Sequence, residues 1–167
     1  MRSLSLPDAT KHTSPNPVSL ICSRTPDGRT NLATVSWWTC LSLEPETIGF
    51  AMMKPSHTGE LVRGTRQAVL TIPGVPLARA VMQCGSTTGR TQDKATTVDI
   101  ALMELPDCAI RIPAHSVVAI QCRLREHIDV GDHYFHICDV ERVLADADEA
   151  PLFAWMGYAR IAPARQA

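Results

Sequence analysis

The feature that most constrains this chain of 167 residues is a pair of strand patterns in its last third. In VVAIQCRLRE (117–126), Val118, Ile120, Cys122 and Leu124 alternate with Gln121, Arg123 and Arg125. That period of two belongs to a strand with one buried face and not to a helix. HIDVGDH follows, read as a turn through Asp129–Asp132, and then YFHICDVERVLA (134–145) as the next strand. Three earlier segments read the same way. VSLICS (Val18–Ser23) ends at TPDGRT, where Pro26-Asp27-Gly28 has the fixed φ and the glycine of a tight reversal. NLATVSWWTCLSL (31–43) is rich in Thr, Val and Trp, and TIGFAMM (Thr47–Met53) is entered after Glu44-Pro45. Their short connections predict an antiparallel meander.

Helices are inserted between the strands. The pattern predicts one over 58–65, a strand AVLTI (Ala68–Ile72), and a second helix in VPLARAVMQCG, with Pro76 in its first turn and Gly85 near its end. Residues 86–108 show no firm period and predict loop and short helix. The fold class is therefore mainly β with inserted helices, a barrel or closed sheet.

Composition narrows the function. A hydrophobic fraction of 45% with 20% charged residues is that of an ordinary globular domain. A net charge of −1 supplies no electrostatic reason for nucleic acid or an anionic membrane as partner. No stretch approaches the ~20 apolar residues of a membrane span. The segment MRSLSLPDATKHTSPNP lacks the apolar middle of a secretory signal. It is read as a loosely ordered lead-in over 1–14, before a single domain over 15–167 in a cytoplasmic protein. The six cysteines never approach the C-x-x-C spacing of a metal site. Cys22, Cys40, Cys122 and Cys138 lie in apolar stretches and are expected to be buried thiols, whereas Cys84, in QCGSTTGR, is expected on an accessible loop.

Chemistry concentrates in two places. KPSHTGELV opens a helix, whose unpaired N–H groups and partial positive charge favour an anion such as phosphate. Ser56 and Thr58 add hydroxyls, and Lys54 and His57 add cations; the plainer alternative is that Ser56 or Thr58 only caps the helix. In a strand, Trp37 and Trp38 face opposite sides, so one can enter the core while the other lines a cleft. His127, His133 and His136 cluster with Asp132 and Cys138, but His133 and His136, three apart, take opposite strand faces and serve zinc poorly, so no metal site is expected. A G-x-G-x-x-G fingerprint, a P-loop and a G-x-S-x-G elbow are all absent.

Several blocks in order resemble the flavin reductase-like FMN-binding family, most closely its flavoredoxin-like members. They are 16–52, 56–73, CGSTTGRTQDK within 81–94, QCRL (121–124) and GDHYFHICDV (131–140), together spanning about 15–160. The most specific elements are N-x-x-x-x-S-W-x-T at Asn31–Thr39, the run Cys84–Lys94, and G-D-H at Gly131–His133. The resemblance implies an FMN-binding split β-barrel, homodimeric, with the flavin near the subunit interface and aromatic residues such as Phe153 and Trp155 free for an apolar contact. It implies that Asn31, Ser36, Trp37, Trp38 and Thr39 border the flavin. Ser56, His57 and Thr58 would hold its phosphate, Lys94 would approach flavin or phosphate as a cation, and His133, the catalytic candidate, would lie near a stacked nicotinamide or simply brace the barrel end. Two departures stand out: Ala95 follows the D-K pair where relatives carry an aromatic residue, which would widen the pocket, and His57 stands where an Arg is common, which would weaken phosphate binding.

The activity so implied is that of an NAD(P)H-dependent flavin reductase delivering reduced FMN, with an oxygenase as a candidate partner. The alternative is a flavoredoxin-like electron carrier with tightly bound FMN and no direct NAD(P)H oxidation. A third reading keeps the barrel as a dimeric binding module for another flat ligand.

Overall fold

Residues 18–23 are all buried in the computed structural model of the chain, which describes residues 1–146 and 149–164. A run buried without alternation belongs to a strand covered on both faces. Around it lie, in chain order, α1 (Leu6–Ala9), β1 (Asn16–Pro17), β2 (Ser19–Arg24), β3 (Thr30–Val35), β4 (Trp38–Leu43), β5 (Glu46–Met53), α2 (His57–Thr65) and β6 (Gln67–Pro73). Then follow α3 (Ala78–Ser86), α4 (Lys94–Thr97), β7 (Leu102–Leu105), β8 (Cys108–Pro113), β9 (Ser116–Val130), β10 (His133–Ala145), β11 (Leu152–Trp155) and β12 (Arg160–Pro163).

Seven strands form one antiparallel sheet in the order β3-β2-β6-β9-β10-β5-β4. Its interior holds Ile21, Ile48, Phe50, Val62, Leu70, Leu124 and Cys138. On the other side of β2, Leu20 and Cys22 join Val81, Ile110, Ile112 and Leu152 in a second core cluster beneath α3, β8 and β11. The alternation of β9 places Val118, Ile120, Cys122 and Leu124 against the interior cluster, while Arg123 and Arg125 pair with Glu141 and Asp139 on the outside. The edge strands β3 and β4 are consecutive in the chain, yet no ladder joins them among the described residues. The barrel is split there.

Several expectations change in three dimensions. The single strand read over 31–43 breaks at Ser36-Trp37, because the chain crosses from one sheet edge to the other and the Trp37 carbonyl accepts from Ala51 N–H. The turn read through Asp129–Asp132 tightens to Gly131-Asp132, with Gly131 at φ 59°, so β9 runs on to Val130. Residues 1–14 carry a short helix, capped by the Ser5 side chain and led by proline, where a loose lead-in was expected. Cys84 and Cys40 exchange roles: Cys84 is buried in α3, and Cys40 is exposed on the edge strand β4. Hydrophobic neighbours in sequence do not bury a residue whose strand has no neighbour on one side.

His136 is a fully buried polar residue of this sheet. It lies in register with Phe50 on β5 and His127 on β9 and stacks on Phe50 at 5.1 Å. Nε2 is 3.4 Å from Arg63 Nη1, and Nδ1 has no partner. Burial first, and Arg63 second, bring its pKa down from 6.5 to about 4. The unfolded chain therefore binds more protons between pH 4 and 6.5, so stability is lost as pH falls through that window and is complete above it. The expected loss across that window is about 3 kcal/mol. His136→Phe keeps the stack and removes the titration, so urea midpoints at pH 4.5 and 7 should differ less in the variant. An equal difference in both proteins would show that His136 does not carry the effect.

Candidate functional site

The split between β3 and β4 opens into a cleft of about 750 Å³. Strand β3 runs along it like a ruler. At one end Asn31 meets Thr58 and Gly89, with His57 on the same glycine; in the middle Thr34 meets Gly85 and the Val81 carbonyl; past the far end Ser36 meets Tyr158. From Asn31 to Ser36 an extended chain covers roughly 17 Å.

The first end is the start of α2. Ser56 caps it, its hydroxyl accepting from Gly59 N–H at 3.2 Å, and Glu60 N–H reaches the Ser56 carbonyl. The first two N–H groups of the helix, on His57 and Thr58, have no acceptor within it. Asn31 Nδ2 donates to Thr58 Oγ1 at 2.7 Å, which leaves the threonine hydrogen free to donate elsewhere. His57 Nδ1 is buried without a hydrogen bond, 3.7 Å from Glu60 Oε2, and Glu60 is held at 2.5 Å by Arg90. Arg90 above all keeps the Glu60 carboxyl below its usual range. Free N–H donors, a helix dipole and an imidazole nitrogen without a hydrogen bond converge at one point, an arrangement that can hold an anion.

The floor is Lys94. Only 4% exposed, it donates from Nζ to the Cys84 carbonyl at 2.7 Å. Among the described residues no carboxylate pairs with it. Burial lowers its pKa, and burial likewise pushes the neighbouring Cys84 thiol up to about 11, so that thiol stays protonated and supplies no counter-charge. An anionic ligand in the cleft would be the missing partner of this ammonium.

The far end is walled by rings. Trp37, 52% exposed, meets His133 with centroids 5.1 Å apart, and His133 Nδ1 is 2.6 Å from Asp132 Oδ1. Tyr158 closes the opposite side, and burial raises its hydroxyl pKa with a partial offset from Ser36.

Of the residues expected from sequence, Ser36, Trp37, Ser56, His57, Thr58, Lys94 and His133 line this one cleft. Asn31 stands one layer back and holds Thr58 in place. Trp38, Thr39 and Lys54 are not brought to it. Trp38 turns its ring to the interior cluster, as the opposite strand face of Trp37 requires. Thr39 is exposed on β4 with its hydroxyl on the Cys40 carbonyl, and Lys54 pairs with Asp129 at 2.8 Å. Ala95 faces the second core cluster, so its small side chain does not widen the cleft. The loop Thr87-Thr88-Gly89 and Asp132, which fall within quoted motifs but were not assigned to the site, also line the cleft, as do the N-terminal Leu6, Pro7 and Thr10. A hydroxyl- and glycine-rich loop between two helices was a legible signal for the first. Nothing local marks the N-terminal residues.

The family model for the flavin reductase like domain matches residues 11–162. Two curated relatives, from Archaeoglobus fulgidus and Pyrococcus abyssi, are 22% and 25% identical over 68% and 62% of this chain, and the chain spans 64% and 59% of their lengths. Among solved structures, the chain is similar to a Streptomyces globisporus NADH:FAD oxidoreductase (TM-score 0.84, 12% identity, 99% of each chain). It is similar also to a Thermus thermophilus FMN-binding protein with bound 1-cyclohex-2-enone (0.83, 21%, 100% of this chain and 97% of that). The flavoredoxin of Desulfovibrio vulgaris is a third (0.81, 17%, 100% of this chain and 92% of that). These structures share the fold, and the match over nearly its whole length makes the chain a member of the flavin reductase like domain family.

Proposed function

We propose that the chain is an FMN-binding flavin reductase that uses NAD(P)H. The observation that carries the reading is Lys94: a buried ammonium with no counter-ion among the described residues, on the floor of a cleft with a candidate anion site at one end and aromatic rings at the other. The residues fit FMN. The α2 N–H groups, Thr58, Ser56 and His57 would hold the phosphate, the Thr87–Gly89 loop would border the ribityl chain, and Trp37, His133 and Tyr158 would flank the ring system. Hydride and electron chemistry is what FMN supplies when bound. The chain binds and orients it, supplies positive charge from Lys94, and holds the His133 ring by hydrogen bonding to Asp132. A nicotinamide beside Trp37 and His133, and an oxygenase as acceptor of the reduced flavin, complete the proposal.

The flavoredoxin-like alternative, tightly held FMN and no NAD(P)H oxidation, has support in the N-terminal residues that cover part of the cleft. We also propose a homodimer. Leu41, Met53, Ile128 and Val130 are exposed on one outer face of β4, β5 and β9, with Leu43 85% exposed beyond them, an apolar surface next to Trp37. Six free cysteines suit a cytoplasmic setting. Among the described residues no helix is long and apolar enough to cross a membrane.

The test is an anaerobic visible spectrum with FMN and then NADH or NADPH. Bleaching supports the reductase; a bound flavin that stays oxidised supports the carrier; no uptake of FMN removes both. Lys94→Met separates binding from stability. Removing a buried unpaired charge should leave the melting temperature unchanged or raised, while FMN affinity falls about tenfold, the loss of roughly one charge-assisted contact. A variant that binds FMN as tightly as the parent would take Lys94 out of the site.

A further inference from the structure

The ring end of the cleft is covered by two chain segments distant in sequence. From the C-terminal side come Met156, Gly157 and Tyr158, three successive residues with positive φ (51°, 64° and 71°). Only glycine adopts that region freely, so two of the three are strained, and such strain persists only where surrounding contacts impose it. From the N-terminal side come Leu6, Pro7 and Thr10. The two segments are joined: Met156 N–H donates to Ser14 Oγ, and a Cβ on Gly157 would stand 3.3 Å from Lys11 Cγ. Behind them Asn16 pairs with Ala154, which anchors the N-terminal segment to β11.

The fastening is local and weak. No residue of α1 is buried, and Leu6 is 73% exposed although it lines the cleft. Tyr158 is different: it packs against the core cluster beneath α3, and its hydroxyl faces Ser36, where β3 gives way to β4. A rigid ring wall therefore carries a loosely held cover.

The geometry points to a latch. Residues 6–14 and the 156–158 turn close over the ring end of the cleft, Tyr158 touches the bound ligand, and the joint at Ser14 sets how long a planar ligand stays. This inference rests on the flavin reading and deepens it: a closed latch makes FMN a retained group, and an open latch makes it an exchanging substrate and frees the ring face for nicotinamide. The strain in the turn is then the stored bias toward opening, held off by the Met156–Ser14 hydrogen bond and by Leu6 and Pro7 where they line the cleft.

The experiment measures the FMN dissociation rate by flavin fluorescence in the full-length parent protein, in Ser14→Ala and in Leu6→Ala, with hydrogen exchange of residues 156–158 in all three. Ser14→Ala should release FMN about fivefold faster, the factor that one hydrogen bond of ordinary net strength predicts. Leu6→Ala, at an exposed position where folding is not at stake, should also speed release. Amide exchange at Met156 and Gly157 should rise in Ser14→Ala with or without flavin. Unchanged release in both variants, with FMN bound, overturns the latch and leaves the flavin reading intact. If the parent takes up no FMN, the flavin reading falls, and exchange alone then decides the joint: equal exchange at 156–158 in parent and Ser14→Ala overturns it as well.

Discussion

Gly89→Ala is expected to bind FMN several-hundredfold more weakly than the parent protein. A Cβ at this position would stand 1.8 Å from Asn31 Oδ1 and 2.8 Å from Asn31 Cγ, far inside van der Waals contact. Asn31 has little room to yield. It is buried, it donates to Thr58 Oγ1, and its second contact is Ser23 at 3.4 Å. Moving it strands a buried amide and turns the Thr58 hydroxyl away from the anion site, each at a cost of about 1–3 kcal/mol. The alternative is displacement of the 87–90 loop, which shifts Arg90 away from Glu60 and opens the phosphate end of the cleft. Both routes damage the same place. Fluorescence titration with FMN, alongside a melting curve, measures the effect; near-parental affinity in a folded variant would show that this loop does not shape the binding site.

Phe50→Ala should cost about 3–5 kcal/mol of folding stability. Phe50 is fully buried and heads the largest side chains of the interior. It lies in register between Trp38 on β4 and His136 on β10, so one substitution leaves a void in a ring-to-ring row that spans three strands. The imidazole of His136 would lose its 5.1 Å stacking partner and border a cavity with its Nδ1 still unpaired. Urea unfolding at pH 7 checks this. A loss under 1 kcal/mol would mean that the interior re-collapses around the gap.

Much of the architecture could be read along the chain because strand and helix periods are local. The alternation of Val118, Ile120, Cys122 and Leu124, the helix start at Ser56 and the opposite facings of Trp37 and Trp38 all follow from backbone geometry that a few neighbours dictate. Residues chosen for the anion site by type and position, Ser56, His57 and Thr58, reach the cleft for the same reason: a helix N-terminus presents its first residues together. Where reading failed, the deciding contact came from far away. Cys84 is buried because α3 packs on β3, and Cys40 is exposed because β4 ends the sheet. Lys54 turned to Asp129 and left the cleft, a choice made by the β9–β10 hairpin beside it.

Residue order along the chain dictated antiparallel strands with inserted helices, the start of helix α2 at Ser56, and the family resemblance. The first two depend on residue order within single strands and helices, the third on motifs in order along nearly the whole chain. Three-dimensional packing decided that β3 and β4 stay apart and leave a cleft, that Lys94 sits on its floor with no counter-ion among the described residues, and that residues 6–14 meet Met156–Tyr158 across its ring end. Those properties arise from contacts between segments far apart in sequence, such as Ser14 and Met156, 142 positions from each other, and no local pattern encodes them.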